Sequence, residues 1–221
     1  MESIDLIKEV VSEFPNSTKE EFENKYKNEI TEFIYVMSVV YDEWKIFDKG
    51  MDGSEELAHV SSLIYGAINM HCISMHLFIT GLPIASGNMY RQVIESVAMG
   101  FLCSKPSLGY LKKYAENKYS TNKAVRDVIK KHKILNLNHS ALQVLKESRE
   151  FYDKFSHPTL LTTAMHMSLS KPGVLFVGSA YDSAKEPQYA KEISSRLGFA
   201  KTLTSFISGI TENLNHTKKH A

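Results

Sequence analysis

Charge is missing from the middle of this chain: from Leu57 to Tyr90 there is no Lys, Arg, Asp or Glu. Such a gap raises the question of a membrane span. His59, Asn69, His71, His76 and several serines interrupt it, however, and Gly81-Leu82-Pro83 ends the run before an ideal span is complete. A central, fully packed helix is the expectation, since a helix apolar all round is a buried one, and no membrane association follows. Cysteine is scarce as well. Cys72 and Cys103 are the only two, they form no CxxC, and both sit in apolar segments, so they are read as reduced core residues and a disulfide framework is excluded. There is no long Pro/Gly/Ser-rich stretch, no low-complexity tract and no fixed-period repeat, which argues for one helical domain over residues 1–221. The start, MESIDLIKEVVSEF, has neither the basic opening nor the small-residue cleavage site of a secretion signal, so a cytoplasmic location is expected. Phosphate loop, dinucleotide fingerprint, Gly-x-Ser-x-Gly elbow and His-Glu-x-x-His are all lacking, which removes the commoner nucleotide-binding, hydrolase and zinc-peptidase classes.

What is present reads as helix. The first helix is expected from about Glu2 to Phe14, stopping at Pro15. Overlapping capping boxes, Ser17 with Glu20 and Thr18 with Glu21, predict the start of a second that continues to about Phe47. Gly50 and Gly53 turn the chain, and Ser54 caps a third helix, with Glu55 and Glu56 in its first turn, reaching about Thr80. Further helices are expected over about Pro83–Cys103, Ser107–Asn117, Thr121–Lys133 and Asn138–Phe155, with a break or fresh start forced by Pro158. Residues 166–178 differ: two short β-like runs flank Lys171-Pro172-Gly173 and predict a small hairpin. Ile193, Leu197, Ala200, Leu203 and Ile207 then mark an amphipathic helix from about Glu186 to Asn213. The expected class is all-α, a bundle of long antiparallel helices.

The net charge of +1 conceals a strong asymmetry. Residues 1–56 carry 15 acids against 6 bases, whereas 105–133 carry 9 bases against 2 acids. Opposite charge blocks on one chain invite self-association, so a homo-oligomer, most simply a dimer, is expected. Within the basic block Lys112, Lys113, Arg126, Lys130 and Lys131 alternate with Tyr110, Tyr114 and Tyr119. Lysine and arginine attract phosphates and tyrosine stacks on unpaired bases, which is the pattern of a single-stranded RNA surface; it is equally that of two solvated surface helices.

Two constellations could carry chemistry. Arg91-Gln-Val-Ile-Glu95 holds the only charges between Pro83 and Cys103, one helical turn apart on one face. A buried ion left alone costs on the order of several kcal/mol, so the two must meet each other or a third group, either as a structural pair or in a polar pocket where Arg91 binds an anion and Glu95 orients it. On the buried alternative, Arg91→Ala is expected to be strongly destabilising. The second is Phe151-Tyr-Asp-Lys-Phe-Ser-His157-Pro158, which brings Tyr152, Ser156 and His157 together at a helix end, where a histidine suits phosphate binding or general-acid work, or simply caps the helix.

Together, GNMYRQVIESVAMGFLCSKP and REFYDKFSHPT resemble the all-helical HEPN-type domains, in particular their uncharacterised bacterial relatives, over roughly residues 81–161. The resemblance implies a metal-independent endoribonuclease of a toxin or defence system, acting as a dimer. In that chemistry a ribose 2′-hydroxyl attacks the adjacent phosphate. His157 would move the proton, Arg91 or Arg149 would stabilise the phosphorane charge, and Glu95 would hold the arginine. The family sets its catalytic Arg and His closer together; here Arg149, the nearest arginine before His157, is separated from it by seven residues. No cofactor or metal is expected: Glu56-Leu-Ala-His59 is a single copy of a motif that di-iron bundles use twice, and Cys72 with His76 lacks further ligands. A non-catalytic helical interaction module is the alternative.

Overall fold

The computed structural model describes residues 3–12, 16–50 and 55–218. Among these the chain is all-α, with ten helices: α1 Ser3–Ser12, α2 Asn16–Lys25, α3 Lys27–Lys49, α4 Glu55–Ile79, α5 Pro83–Cys103, α6 Tyr110–Ala115, α7 Ala124–Lys130, α8 His139–Asp153, α9 Leu160–Met165 and α10 Glu186–Lys218. Pro83 sits in the first turn of α5, where its missing N–H costs nothing. Asn138 caps α8 by accepting hydrogen bonds from the N–H groups of Ser140 and Ala141.

The centre is the α4–α5 pair, joined by a turn at Gly81, whose φ of +77° suits glycine. α5 folds back along α4 so that the rings of His71 and Tyr90 stack 5.2 Å apart. One turn closer to the loop, Ser86 Oγ donates to the Ser74 carbonyl (2.7 Å) and Ser74 Oγ returns a bond to the Ser86 carbonyl (3.1 Å). Small side chains on the facing sides permit this approach. α3 and α10 cover α4, while α7, α8 and the 3-10 turn at 154–156 cover α5. The buried apolar residues form one cluster running from Phe22 to Leu214.

Several sequence expectations are corrected. The helix expected from Ser17 to Phe47 is two, interrupted at Tyr26 (φ −119°, ψ 30°), whose hydroxyl donates to the Glu186 carbonyl while Phe22 packs among Phe78, Tyr181 and Tyr189. Ser17 and Thr18 lie inside α2 and do not cap it. The Ser54 cap falls outside the described residues. α6 and α7 are shorter than expected, each preceded by a 3-10 turn, and α10 continues to Lys218. Instead of a hairpin, residues 166–178 contain one isolated antiparallel bridge, Met167 with Leu175; Ser168 N–H donates to the Val174 carbonyl and Phe176 N–H to the His166 carbonyl, and the pairing goes no further. This segment is held to the core by Ser179 Oγ donating to the Thr80 carbonyl and by Asp182, which accepts from the N–H groups of Leu169 and Ser170. Nor is α4 buried all round. It is long and apolar enough to cross a membrane, but one face packs inward while Ser62, Tyr65, Asn69, Cys72 and His76 face outward. Cys72 is therefore exposed and only Cys103 is a core thiol.

Gly87 marks the closest approach of α5 to the end of α8: a Cβ there would stand 2.5 Å from the Phe155 ring. Gly87→Ala is expected to destabilise the fold by about 1–3 kcal/mol in urea unfolding, and Phe155→Leu in the same chain to recover part of the loss.

Candidate functional site

α8 presents two polar faces, and the residues expected to act together are divided between them. Outward, toward α5, Arg91 Nε donates to Glu95 Oε1 at 3.0 Å, its Nη1 donates to Ser156 Oγ at 2.8 Å, and the same nitrogen lies 3.3 Å from Asp153 Oδ1. Arg149, one turn before Asp153, approaches Glu95 at 3.9 Å and Asp153 at 3.6 Å. Two guanidinium groups thus interleave with two carboxylates in a charge-balanced cluster at the edge of the core: Glu95 is buried, while the Arg91 and Arg149 side chains are 21% and 24% exposed. Arg149 Nε is itself buried and has no hydrogen-bond partner. Ser156 Oγ accepts from Arg91 while donating to the Asp153 carbonyl, which fixes the 3-10 turn. The next residue, His157, is extended and exposed; its carbonyl accepts from Thr162 Oγ1, and its ring has no partner among the described residues.

Tyr152 points the other way. It is 2% exposed, and its hydroxyl donates to Glu192 Oε2 at 2.8 Å, so burial pushes the phenol well above its usual pKa. Tyr152 belongs to the core, whereas Ser156 and His157 are exposed, and the three share no contact among the described residues. Its partner Glu192 is the acidic half of a pair that the sequence analysis missed. Arg196, fully buried, donates through Nη1 to Glu192 Oε2 (2.6 Å), through Nη2 to Ser86 Oγ (2.7 Å) and through Nε to Ser74 Oγ (3.2 Å). Its guanidinium lies 4.8 Å from the Phe78 ring and 5.0 Å from Tyr90. Gln188 Nε2 donates to the remaining oxygen of Glu192. His71 completes the network: with the Arg196 carbonyl as acceptor 3.0 Å away, Nε2 carries the proton, and Nδ1 has no partner. A signal for Arg196 was available, since it lies three residues after Ile193 and four before Ala200 and so shares their apolar face.

The basic block is also divided. Arg126 and Lys130 of α7 join Lys146 and Arg149 of α8, with Asn122 and Gln143, around a groove of about 340 Å³. Glu150 is the one acid lining it. Lys112 and Lys113 are exposed on α6, away from this groove, and Lys131 is half-buried. The tyrosines expected as stacking platforms pack against the core instead: Tyr110 and Tyr119 meet edge to face, and the Tyr119 hydroxyl donates to Asp127. Among the described residues no cluster of His, Cys, Asp and Glu is arranged to hold a metal ion.

Comparison of the chain with family models, with curated proteins and with solved structures finds no match. The site's chemistry is therefore read from its own geometry. Four cations converge on a groove, and Arg149 links it to a second arginine and two carboxylates beside an unpaired histidine.

The two arginine sites differ in burial, and so in cost. Arg196→Met is expected to lower stability by about 3–5 kcal/mol, because the Glu192 carboxylate remains buried without its counter-charge and the buried Ser74 and Ser86 hydroxyls lose a donor. Arg91→Ala is expected to cost about 2–3 kcal/mol in the same urea titration, less than Arg196→Met: Glu95, itself buried, loses its one hydrogen bond and keeps only the longer approach of Arg149 at 3.9 Å.

Burial pushes the His71 pKa down to about 3; the hydrogen bond to the Arg196 carbonyl opposes the shift and the Arg196 charge adds to it. The unfolded chain then takes up a proton near pH 6.5 that the folded chain refuses, so this contribution is absent at pH 7 and stability falls as pH is lowered toward 3. Between pH 6.5 and 5 the wild type is expected to lose up to about 1.4 kcal/mol per pH unit relative to His71→Gln, measured as the difference between their unfolding free energies.

Proposed function

We propose that this protein is a HEPN-like RNA-binding protein of a defence or toxin-type system, working in the cytoplasm, with the long helices as an antiparallel bundle that carries the site. The observation that carries the proposal is the α7–α8 groove, where Arg126, Lys130, Lys146 and Arg149 face one another against a single acid. Like charges held this close repel one another, and a phosphodiester relieves that repulsion while accepting their hydrogen bonds. Three of the four have an acid nearby, Arg126 with Asp127 at 3.6 Å, Lys146 with Glu150 at 3.8 Å and Arg149 with Asp153 at 3.6 Å and Glu95 at 3.9 Å, but these contacts are long and none is a hydrogen bond, so the groove keeps donors for a phosphate. Two unpaired thiols, Cys72 and Cys103, suit a reducing compartment. Dimerisation belongs to the same proposal, and the exposed Tyr35, Val39 and Ile46 on α3 offer it apolar surface.

Metal-independent cleavage is the catalytic extension. An RNA strand leaving the groove past Arg149 meets Arg91 and then His157. His157 would protonate the departing 5′-oxygen as the 2′-oxygen bonds to phosphorus, while an arginine balances the phosphorane charge. One observation favours the second reading, binding without cleavage: the guanidinium of Arg91 is already occupied by Glu95, Asp153 and Ser156.

Fluorescence anisotropy with a labelled single-stranded RNA tests the binding. The double variant Arg126→Glu, Lys130→Glu is expected to weaken affinity by more than about tenfold and to flatten the dependence of log K on log salt by about 1–2 units. Unchanged affinity and slope would remove the groove from the proposal. Labelled total RNA incubated with chelator separates the two readings: fragments made by the wild type and not by His157→Ala establish cleavage, and intact RNA with both establishes binding alone.

A further inference from the structure

A second site lies at the opposite end of α5. Lys185, 8% exposed, stands just before α10 and lines two neighbouring cavities of about 440 and 320 Å³. Both are within the usual size of small-molecule sites, roughly 300–1,000 Å³. The first runs beneath the Gly81–Pro83 turn and the 176–180 segment; the second extends along α9 toward Phe78, Phe155 and Leu161. Pro83, Met165, Lys185 and Tyr189 line both, so the ammonium lies on their common wall.

The valence of that ammonium is incomplete. Lys185 Nζ donates to the carbonyls of Ala164 (3.1 Å) and Met165 (3.2 Å) at the end of α9, and it lies 5.3 Å from the Phe176 ring. A lysine has three N–H donors, and the third has no acceptor among the described residues. Among the described residues no carboxylate is within ion-pair distance either. Asp182 acts on Lys185 only from farther away, and its oxygens are occupied by the N–H groups of Leu169, Ser170 and Ala184. Glu192, in the wall of the second cavity, is already neutralised by Arg196 and bonded by Tyr152 and Gln188. A buried cation facing apolar space with one donor free is an arrangement that an anion completes.

We propose that these paired cavities bind a medium- or long-chain monocarboxylic acid, its carboxylate accepting the free proton of Lys185 and its alkyl chain lying among Pro83, Phe155, Leu161 and Met165. An alkyl alcohol would fill the same apolar space without a charge to meet the ammonium. A quaternary alkylammonium of the same length would be repelled. The site is independent of the α7–α8 groove, and neither depends on the other.

Isothermal titration calorimetry of the full chain with decanoate, 1-decanol and decyltrimethylammonium, each below its micelle concentration, tests the proposal. Decanoate is expected to bind at one site per chain at least about tenfold more tightly than the alcohol, with no binding of the cation. Lys185→Met is expected to abolish the preference for carboxylate over alcohol. Because Lys185 also caps α9, that variant could fail to fold; Ala184→Phe, introduced at an exposed position lining the second cavity, where the alkyl chain is placed, retains the ammonium and is expected to weaken decanoate by at least about tenfold at unchanged melting temperature. Equal affinity for decanoate and decanol, or wild-type decanoate affinity in Ala184→Phe, overturns the proposal.

Discussion

The buried pair of Arg196 and Glu192 constrains everything around it. A guanidinium removed from water loses hydration worth many kcal/mol, and the fold must return hydrogen bonds and counter-charge from fixed positions. Those positions belong to four helices: Ser74 on α4, Ser86 on α5, Tyr152 on α8 and Glu192 on α10 itself. The aromatic rings of Phe78, Tyr90 and Tyr152 stack around the same cation. A sliding of any one helix by a turn would break a bond to a charge, whereas a purely apolar interface would tolerate it more readily. The polar centre therefore sets the register in which the apolar residues pack.

α8 carries that register to the surface. Tyr152 is anchored inward to Glu192; Asp153, the next residue, points about 100° away, and the tighter 3-10 turn at 154–156 brings Ser156 round to the same side, where Arg91 receives both. Arg149, one turn earlier, is held between Glu95 and Asp153 on one side and opens into the α7–α8 groove on the other. The geometry of the surface cluster thus derives from a buried hydrogen bond. This is why a site made of long, flexible side chains has defined distances.

The sequence was most legible where periodicity and breakers agree. Pro83 and the Lys105-Pro106 step bound α5 as expected, and the charge-free run does form a long helix. It was least legible where tertiary contacts override local preference. Tyr26 interrupts an unbroken helical pattern because its hydroxyl reaches α10, and the 166–178 segment forms a single bridge because Asp182 takes two of its backbone N–H groups. At the candidate site, the meeting of Arg91 with Glu95 was readable from spacing, and the approach of Ser156 was not, since it depends on how α8 rotates about Tyr152. Glu192 and Arg196 were overlooked because Glu-x-x-x-Arg on an amphipathic helix usually marks the solvent face; only the apolar residues on either side of Arg196 indicate otherwise.

The four cations at these sites differ chiefly in how completely their valence is met, and their capacity for function follows from that difference. Arg196 uses its donors on four acceptor atoms and is sealed, so it can hold the fold and little else. Arg91 is satisfied at the surface by two carboxylates and a hydroxyl, which suits it to positioning. Arg149 has a buried Nε without a partner, and Lys185 has a third proton without one. Unmet donors on buried or half-buried cations are costly to keep, and both residues line a cavity: the Nε of Arg149 is turned toward Glu95 at 3.9 Å while its side chain also lines the α7–α8 groove, and Lys185 lines the two cavities beside α9. Around Arg149 three further cations favour a ligand carrying several negative charges, whereas Lys185, the one buried ammonium in a largely apolar wall that also holds the exposed Lys191, favours a single carboxylate on a hydrocarbon chain.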